Sequence, residues 1–453
     1  MNENQAQAEG PVGVGMIGLG TVGRGVAELM QNHAEVYAKR AGRPAELRAV
    51  VVRDLAKAQD WATESRAVDA SILGTDIDAV LGDDIDVVIE VAGGVDVARR
   101  YVEAALGAGK HVVTANKALL AAHGPALFKL AKNNGVSVAF EASCAGGIPC
   151  VTALQFGLMS NAVRGLYGIL NGTCNYILTQ MTRHGQSYAE ALQQAKELGY
   201  AEADETLDVS GADAAQKLAI LASIAFGGAV PGDAVACEGI DTLDLLDVSF
   251  GEELGYDLKL IAAAEQETDG DGLFLSTRPC FVAKDAQLAQ VHGAFNALSV
   301  VGDAVGHVMF YGPGAGKGPT ASAVVSDLLN VASGWYPKAF AAMGLLPDGS
   351  VEAKRCASGD AVSRFYLRLA LRDVPGGFGR ITTTLGDHGV SLSAVLQHEA
   401  GEDESGTSGK FVPVVVTTHR CLQGDLAAAC EALAALDEVE GSPVVIRILD
   451  FAG

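Results

Sequence analysis

Val12-Gly13-Val14-Gly15-Met16-Ile17-Gly18-Leu19-Gly20-Thr21-Val22-Gly23 is the stretch whose reading decides the fold. Its first six residues form a short run of β type, and Gly18, Gly20 and Gly23 follow with the GxGxxG spacing. Beyond them Val22, Val26, Leu29 and Met30 recur on one helical face. A strand that turns through glycines into a helix is the context in which this fingerprint binds a dinucleotide. The first glycine permits the tight turn, the second lets the backbone approach a pyrophosphate, and the third lets helix and sheet pack closely. Unpaired N–H groups at the helix start suit the anion. Residues Gly18, Leu19, Gly20, Thr21, Val22 and Gly23 are therefore the expected cofactor loop.

Working outward, strands are expected at 47–52, 85–91, 110–114 and 136–141, with helices at 97–108 and 118–133 between them. The alternation predicts an α/β fold, a doubly wound parallel sheet of Rossmann type. After Glu141 the pattern changes to Gly-rich turns, helices at 187–199 and 212–226, and alternating segments such as 272–276 and 305–311 that suit an open mixed sheet. A helix over 320–332 follows. Residues 348–360 are polar and aperiodic, the expected linker. The last block reads as βαββαβ, the ferredoxin-like arrangement: strands at 364–372, 390–397, 411–417 and 442–450, helices at 378–389 and 424–436. Expected domains are a disordered tail at 1–11, a nucleotide domain at 12–141 plus 312–335, a catalytic and dimerisation domain at 142–311, and a terminal domain at 361–453.

At 453 residues, two or three domains are expected. A net charge of −23 disfavours nucleic-acid and anionic-membrane partners. The start of the chain is polar, and the most apolar stretch, 218–230, is too short for a membrane span. Eight scattered cysteines without a CxxC pair read as thiols of a cytoplasmic protein.

Two places carry chemistry. Arg53 and Asp54 end the second strand, where an acid binds a ribose 2′-hydroxyl and an arginine accommodates a 2′-phosphate. Arg53, with Lys57 near it, points to NADP, and Asp54 keeps NAD open. Lys117 in Thr114-Ala115-Asn116-Lys117 lies just past a strand's carboxyl end, in the ligand crevice of such sheets. Asp213 and Lys217 are neighbours on one helix face. Ser210 three residues before Asp213 also fits a capping box, which would reduce Asp213 to a cap. The helix is otherwise apolar, so Lys217 is expected in a buried polar pocket, where a lysine can serve proton transfer. A nucleophilic Cys144 or Cys174 is the rival chemistry, and a non-enzymatic nucleotide and amino-acid sensor the rival class.

These motifs, together with residues 141–149, Asn171-Gly172-Thr173-Cys174-Asn175-Tyr176, 199–202, 208–217 and 311–316, fall in an order that resembles the homoserine dehydrogenases over about residues 12–335. Asp373-Val374-Pro375-Gly376-Gly377 resembles the opening of an ACT regulatory domain. The resemblance implies interconversion of homoserine and aspartate 4-semialdehyde with NADP or NAD in threonine, methionine and isoleucine biosynthesis. It implies proton transfer by Lys217, Lys117 beside nicotinamide and substrate, and Asp213 as a further polar catalytic contact. Glu202 and Asp208 would bind substrate, and Gly316 would join Arg53 and Lys117 at the cofactor. Glu141, Cys144, Gly146 and Ile148 match a structural sodium site. Threonine is the implied effector, and a homo-oligomer, dimer or tetramer, is expected.

Overall fold

The computed structural model describes residues 10–201, 204–268, 270–344, 347–398 and 411–451. The tail expected at 1–11 lies outside them up to residue 9. Strands β1 (Val12–Ile17), β2 (Ala45–Val51), β3 (Leu73–Gly74), β4 (Val87–Glu90), β5 (His111–Thr114) and β6 (Val138–Ala139) form one sheet in the order β3-β2-β1-β4-β5-β6. Every pairing in it is parallel. The order reverses between β1 and β4, which opens the crevice at the strands' carboxyl ends. All of β1 and β4 is buried, because helices cover both faces. Each buried Val or Ile there contributes about 1.5–3 kcal/mol. The helix Lys317–Ala332, far along the chain, returns to this domain and packs on the helix Thr21–Asn32. A methyl on Gly25 would come within 2.9 Å of the Ala321 Cβ, so small residues set that approach.

The second domain is built on β7 (Val163–Ile169), β8 (Ala236–Cys237), β9 (Tyr256–Gln266), β10 (Leu273–Ala283), β11 (Phe295–Gly302) and β12 (Gly306–Pro313). The run β12-β11-β7-β9-β10 is antiparallel throughout, and β8 adds to β10 in parallel, so the sheet is mixed. The helix Ala212–Phe226 crosses to the nucleotide domain, where it packs on the helix Lys117–Asn133.

The third domain contains β13 (Val362–Arg372), β14 (Leu392–Gln397), β15 (Phe411–Thr418), β16 (Cys421–Leu422) and β17 (Val439–Ile448), with helices Gly377–Asp387 and Gln423–Ala434. Phe365, Leu367, Leu369 and Leu371 alternate onto one face and meet Ile381, Leu385, Leu426 and Leu433 of those helices. The opposite face is also covered. Tyr366, Val415, Ile446 and Ile448 pack against Ile177, Phe250, Leu258 and Phe281 of the second domain. Asp247, 1% exposed, fastens the contact: Arg368 donates from Nε at 2.6 Å and from a terminal nitrogen at 2.8 Å, and the Tyr366 hydroxyl donates at 2.9 Å.

β17 lies parallel to β10 through Cys280↔Arg447 and Phe281↔Ile448, so one sheet runs through both domains. Residues 348–360, expected as a linker, are pinned to the second domain. Ala229 N–H donates to Val351 and Ala353 N–H to Ala229, while Leu273 exchanges hydrogen bonds with Lys354 and Cys356. Their polarity reflects an edge position whose backbone is paired.

Candidate active site

Gly18 adopts φ +103, and a Cβ there would lie 2.8 Å from Ala92 N and Val91 O. A Cβ on Gly23 would sit 2.3 Å from the Gly18 carbonyl oxygen. Only glycine fits either place. At Gly20, the N-cap of the helix Thr21–Asn32, a Cβ would project into open space, room that a pyrophosphate needs. Beside this loop lies a cleft of about 1120 Å³, lined by Gly18, Leu19, Gly20, Thr21, Arg53 and Lys57 among others. Val22 and Gly23 shape the loop from beneath and do not line the cleft. Nor does Gly316, which N-caps its helix at φ +119 one residue before the cleft-lining Lys317.

Arg53 is exposed and has no ion-pair partner among the described residues, whereas Asp54 caps the next helix by accepting the Lys57 N–H at 3.0 Å. One cleft wall is set by Glu90, fully buried, which accepts the Ala92 and Gly93 N–H groups at 3.0 and 3.1 Å and the Thr114 hydroxyl at 2.7 Å. Thr114 Oγ1 in turn accepts the Asn116 N–H at 3.0 Å. Asn116 donates to the Gly94 carbonyl at 2.7 Å and caps the helix that begins with Lys117. The cofactor crevice and Lys117 are thereby one hydrogen-bonded unit.

Lys117 and Lys217, from different domains, meet on one carboxylate. Lys217 Nζ donates to Asp213 Oδ2 at 2.7 Å and to the Leu170 carbonyl at 2.8 Å, and Lys117 Nζ lies 3.2 Å from Asp213 Oδ1. The capping-box reading of Ser210 and Asp213 is overturned. The helix Ala212–Phe226 is capped by Gly211 at φ +83, and Asp213 turns inward instead. Burial opposes the charge of Asp213, but the Lys217 and Lys117 ammonium groups outweigh it and hold the carboxyl down at about 2. Asn171 completes the cluster, donating to Asp213 and to Asp208 at 2.8 Å each. Half-buried Asp208 is pushed up by desolvation despite that bond. Glu202 lies outside the described residues.

Asn171, Glu90 and Asn116 were not singled out from sequence. The available signal was an Asn opening a helix in the Asn171–Tyr176 motif, since Asn171 Oδ1 caps the helix Gly172–His184 by accepting Cys174 N–H at 2.8 Å.

Glu141, Cys144, Gly146 and Ile148 lie in one buried loop, in which Ala145 and Gly146 both take left-handed φ, +51 and +52. Both Glu141 carboxylate oxygens accept backbone N–H groups, from Val151 and Thr152 at 2.8 Å each. Each oxygen keeps a lone pair that a cation could share with the backbone carbonyls of the loop. Burial pushes up the Glu141 carboxyl and, next to it, that of Asp327, which accepts the Glu141 N–H at 2.8 Å. No cationic side chain pairs with either acid among the described residues, so a buried cation fits this acidic setting. The nucleophilic cysteines do not fit. Burial pushes Cys144 up to about 12 and Cys174 well above its ordinary value.

A dinucleotide crevice joined to a Lys–Asp–Lys cluster around the buried Asp213, with a ferredoxin-like domain attached, defines a nicotinamide-dependent oxidoreductase. Comparison with known proteins narrows the class. Residues 18–141 match the family model described as homoserine dehydrogenase, NAD binding domain. Residues 149–329 match the homoserine dehydrogenase model, and residues 365–437 the ACT domain. Homoserine dehydrogenase from Synechocystis sp. is 40% identical over 97% of this chain and 99% of its own. The crystal structure of a homoserine dehydrogenase from Thiobacillus denitrificans superposes with a TM-score of 0.89 at 39% identity, covering 97% of this chain and 98% of that one. A hyperthermophilic archaeal homoserine dehydrogenase in complex with NADPH is 25% identical, TM-score 0.59, over 71% of this chain and 97% of that one. The chain belongs to the homoserine dehydrogenase family. Among its described residues no helix is long and apolar enough to cross a membrane.

Proposed function

We propose that the chain interconverts homoserine and aspartate 4-semialdehyde with NADP, in the cytoplasm, on the route to threonine, methionine and isoleucine. The observation that carries this reading is Asp213 holding Lys117 and Lys217 together at 3.2 and 2.7 Å, across the join of the cofactor and catalytic domains. The bound nicotinamide supplies hydride chemistry at C4 of the substrate. Lys217 donates the proton to the carbonyl oxygen during reduction and takes it back during oxidation. Asp213 and the Leu170 carbonyl fix its direction, so that positioning and charge complementarity lower the barrier. Lys117, held on the same carboxylate at 3.2 Å, would lie beside that oxygen and the nicotinamide. Asp208, with Glu202, binds the α-amino group. Arg53, without an ion-pair partner among the described residues and with the neighbouring Asp54 engaged as a cap, favours a 2′-phosphate and hence NADP over NAD. Glu141 and the backbone carbonyls of Cys144, Gly146 and Ile148 would hold sodium as a structural ion. The test is the homoserine-dependent reduction of NADP followed by absorbance: turnover supports the reading, and its absence with homoserine removes it.

Regulation by threonine is the second part. The helix Gly377–Asp387 starts at Gly376, φ +85, without a side-chain cap, so its N–H groups suit an amino-acid carboxylate. Threonine can inhibit only by binding one conformation better than another, with couplings of about 1–3 kcal/mol. Calorimetry and inhibition at millimolar threonine on the full chain decide it, and neither binding nor inhibition would leave the domain structural or tuned to another ligand. A homo-oligomer, dimer or tetramer, is proposed with it, to be read from light scattering.

A further inference from the structure

A cavity of about 190 Å³ lies at the seam where β10, β17 and residues 351–361 meet. It is several times the ~30 Å³ share of a water molecule, the size for a small metabolite and not for a nucleotide. In a chain of net charge −23, its walls carry Arg278, Arg355 and Arg447 against one carboxylate, Glu265. Glu265 is already satisfied: Arg447 donates to it at 2.8 Å and the Tyr167 hydroxyl at 2.9 Å. Arg447 also gives Nε to Ser363 Oγ at 2.9 Å. Arg278 donates to Gln423 Oε1 at 3.2 Å, but its buried Nε has no hydrogen-bond partner among the described residues. Arg355 is exposed and pairs with no carboxylate among the described residues. Among the described residues neither Arg278 nor Arg355 forms an ion pair, although Glu238 feels the Arg278 charge, and the two guanidinium groups, one with a buried donor unmet, converge on one small cavity. Guanidinium forks match carboxylates in shape and charge.

We propose that this seam cavity binds a small carboxylate anion through Arg278 and Arg355, and that its occupancy is felt at the catalytic helix. The route is one residue deep. Ser276 and Arg278 line the cavity, and Thr277 between them points to the other side of the strand. A Cβ on Gly211 would meet Thr277 Cγ2 at 3.1 Å, so Thr277 lies directly against the N-cap of the helix that carries Asp213 and Lys217. The Thr277 carbonyl also accepts the Glu238 N–H at 2.8 Å, beside the turn at Gly239 that packs on Val209. An anion that draws β10 and the segment 351–361 together therefore bears on the position of Lys217.

The experiment is calorimetry on the full chain with malonate as the carboxylate probe and inorganic phosphate as the second arm. Binding is read whether or not homoserine is the substrate, so the outcome is separate from that of the proposed activity. Malonate should bind once per chain, and Arg278→Gln and Arg355→Gln should each weaken it by about tenfold or more, as the loss of a charge-assisted hydrogen bond requires. Arg355 is exposed, so its variant keeps the fold even if Arg278→Gln disturbs the seam. Saturating malonate should shift the KM for substrate in the wild type and not in Arg355→Gln. No malonate binding at millimolar concentration, binding of phosphate alone, or binding unaffected by the Arg355 change overturns the proposal.

Discussion

Asp213 and Asp327 are the same side chain at the same depth, 4% and 3% exposed, yet they are driven in opposite directions. At Asp213 the two lysines overcome desolvation and hold the carboxyl at about 2. At Asp327 desolvation is unopposed by any cation, the neighbouring Glu141 adds to it, and the carboxyl rises well above its ordinary value. Burial does not decide ionisation. The partner does, and the partnered acid is the one at the chemistry. Stability should follow with opposite slopes. Asp213, lowered on folding, contributes stability that is present above the unfolded value of about 4 and is lost as pH falls towards the folded value. Asp327, raised on folding, contributes stability that is complete below about 4 and is lost as pH rises through its folded value.

The largest effect that could break the comparison is Asp213→Ala. It leaves two ammonium groups facing each other, and we expect a loss of about 3–5 kcal/mol at neutral pH by urea denaturation. The gap to wild type should narrow as pH falls towards 2. A variant as stable as wild type would show that the lysines do not depend on Asp213. Asp327→Asn should do the reverse. The amide oxygen can still accept the Glu141 N–H, and the variant escapes ionisation, so its advantage should grow above pH 4 by up to about 1.4 kcal/mol per unit. An advantage that shrinks with rising pH contradicts the assignment.

A cation could supply at Glu141 and Asp327 what the chain supplies at Asp213. Exchanging choline for sodium at constant ionic strength should then raise Tm by about 2–4 °C, the shift expected for ~1 kcal/mol in a large chain. Identical melting in the two salts would remove sodium from the account. Arg53→Asp is the smallest change. It should move the ratio of kcat/KM for NADP over NAD by about tenfold, roughly 1.4 kcal/mol, towards NAD. An unchanged ratio makes Arg53 a bystander.

Local chemistry was legible in the sequence where it depended on spacing within one element. Gly18, Gly20 and Gly23 announced the cofactor turn, and the four-residue spacing of Asp213 and Lys217 placed them together. The alternation of Phe365, Leu367, Leu369 and Leu371 gave the terminal sheet. What depended on distant elements was not legible. Nothing in the spacing brings Lys117 to Asp213, or Asn171 to both Asp208 and Asp213. Ser210 and Asp213 satisfied the capping pattern, but the left-handed Gly211 moved the helix start and freed Asp213 for the lysines. Residues 348–360 looked like a linker because polarity cannot distinguish a solvated backbone from one paired at a sheet edge. Tyr366 and Arg368 alternate with that apolar face, and nothing in their spacing shows that Asp247 and the second domain cover them.

The most direct test is Lys217→Met, measured by homoserine-dependent NADP reduction together with NADP binding, with Lys117→Met alongside. Methionine keeps the stem's bulk and removes the proton donor. Turnover of Lys217→Met should fall by about 10²–10⁴-fold while NADP binding survives. Near-normal turnover in a folded Lys217→Met, with collapse in Lys117→Met, would contradict the assignment and transfer the proton to Lys117.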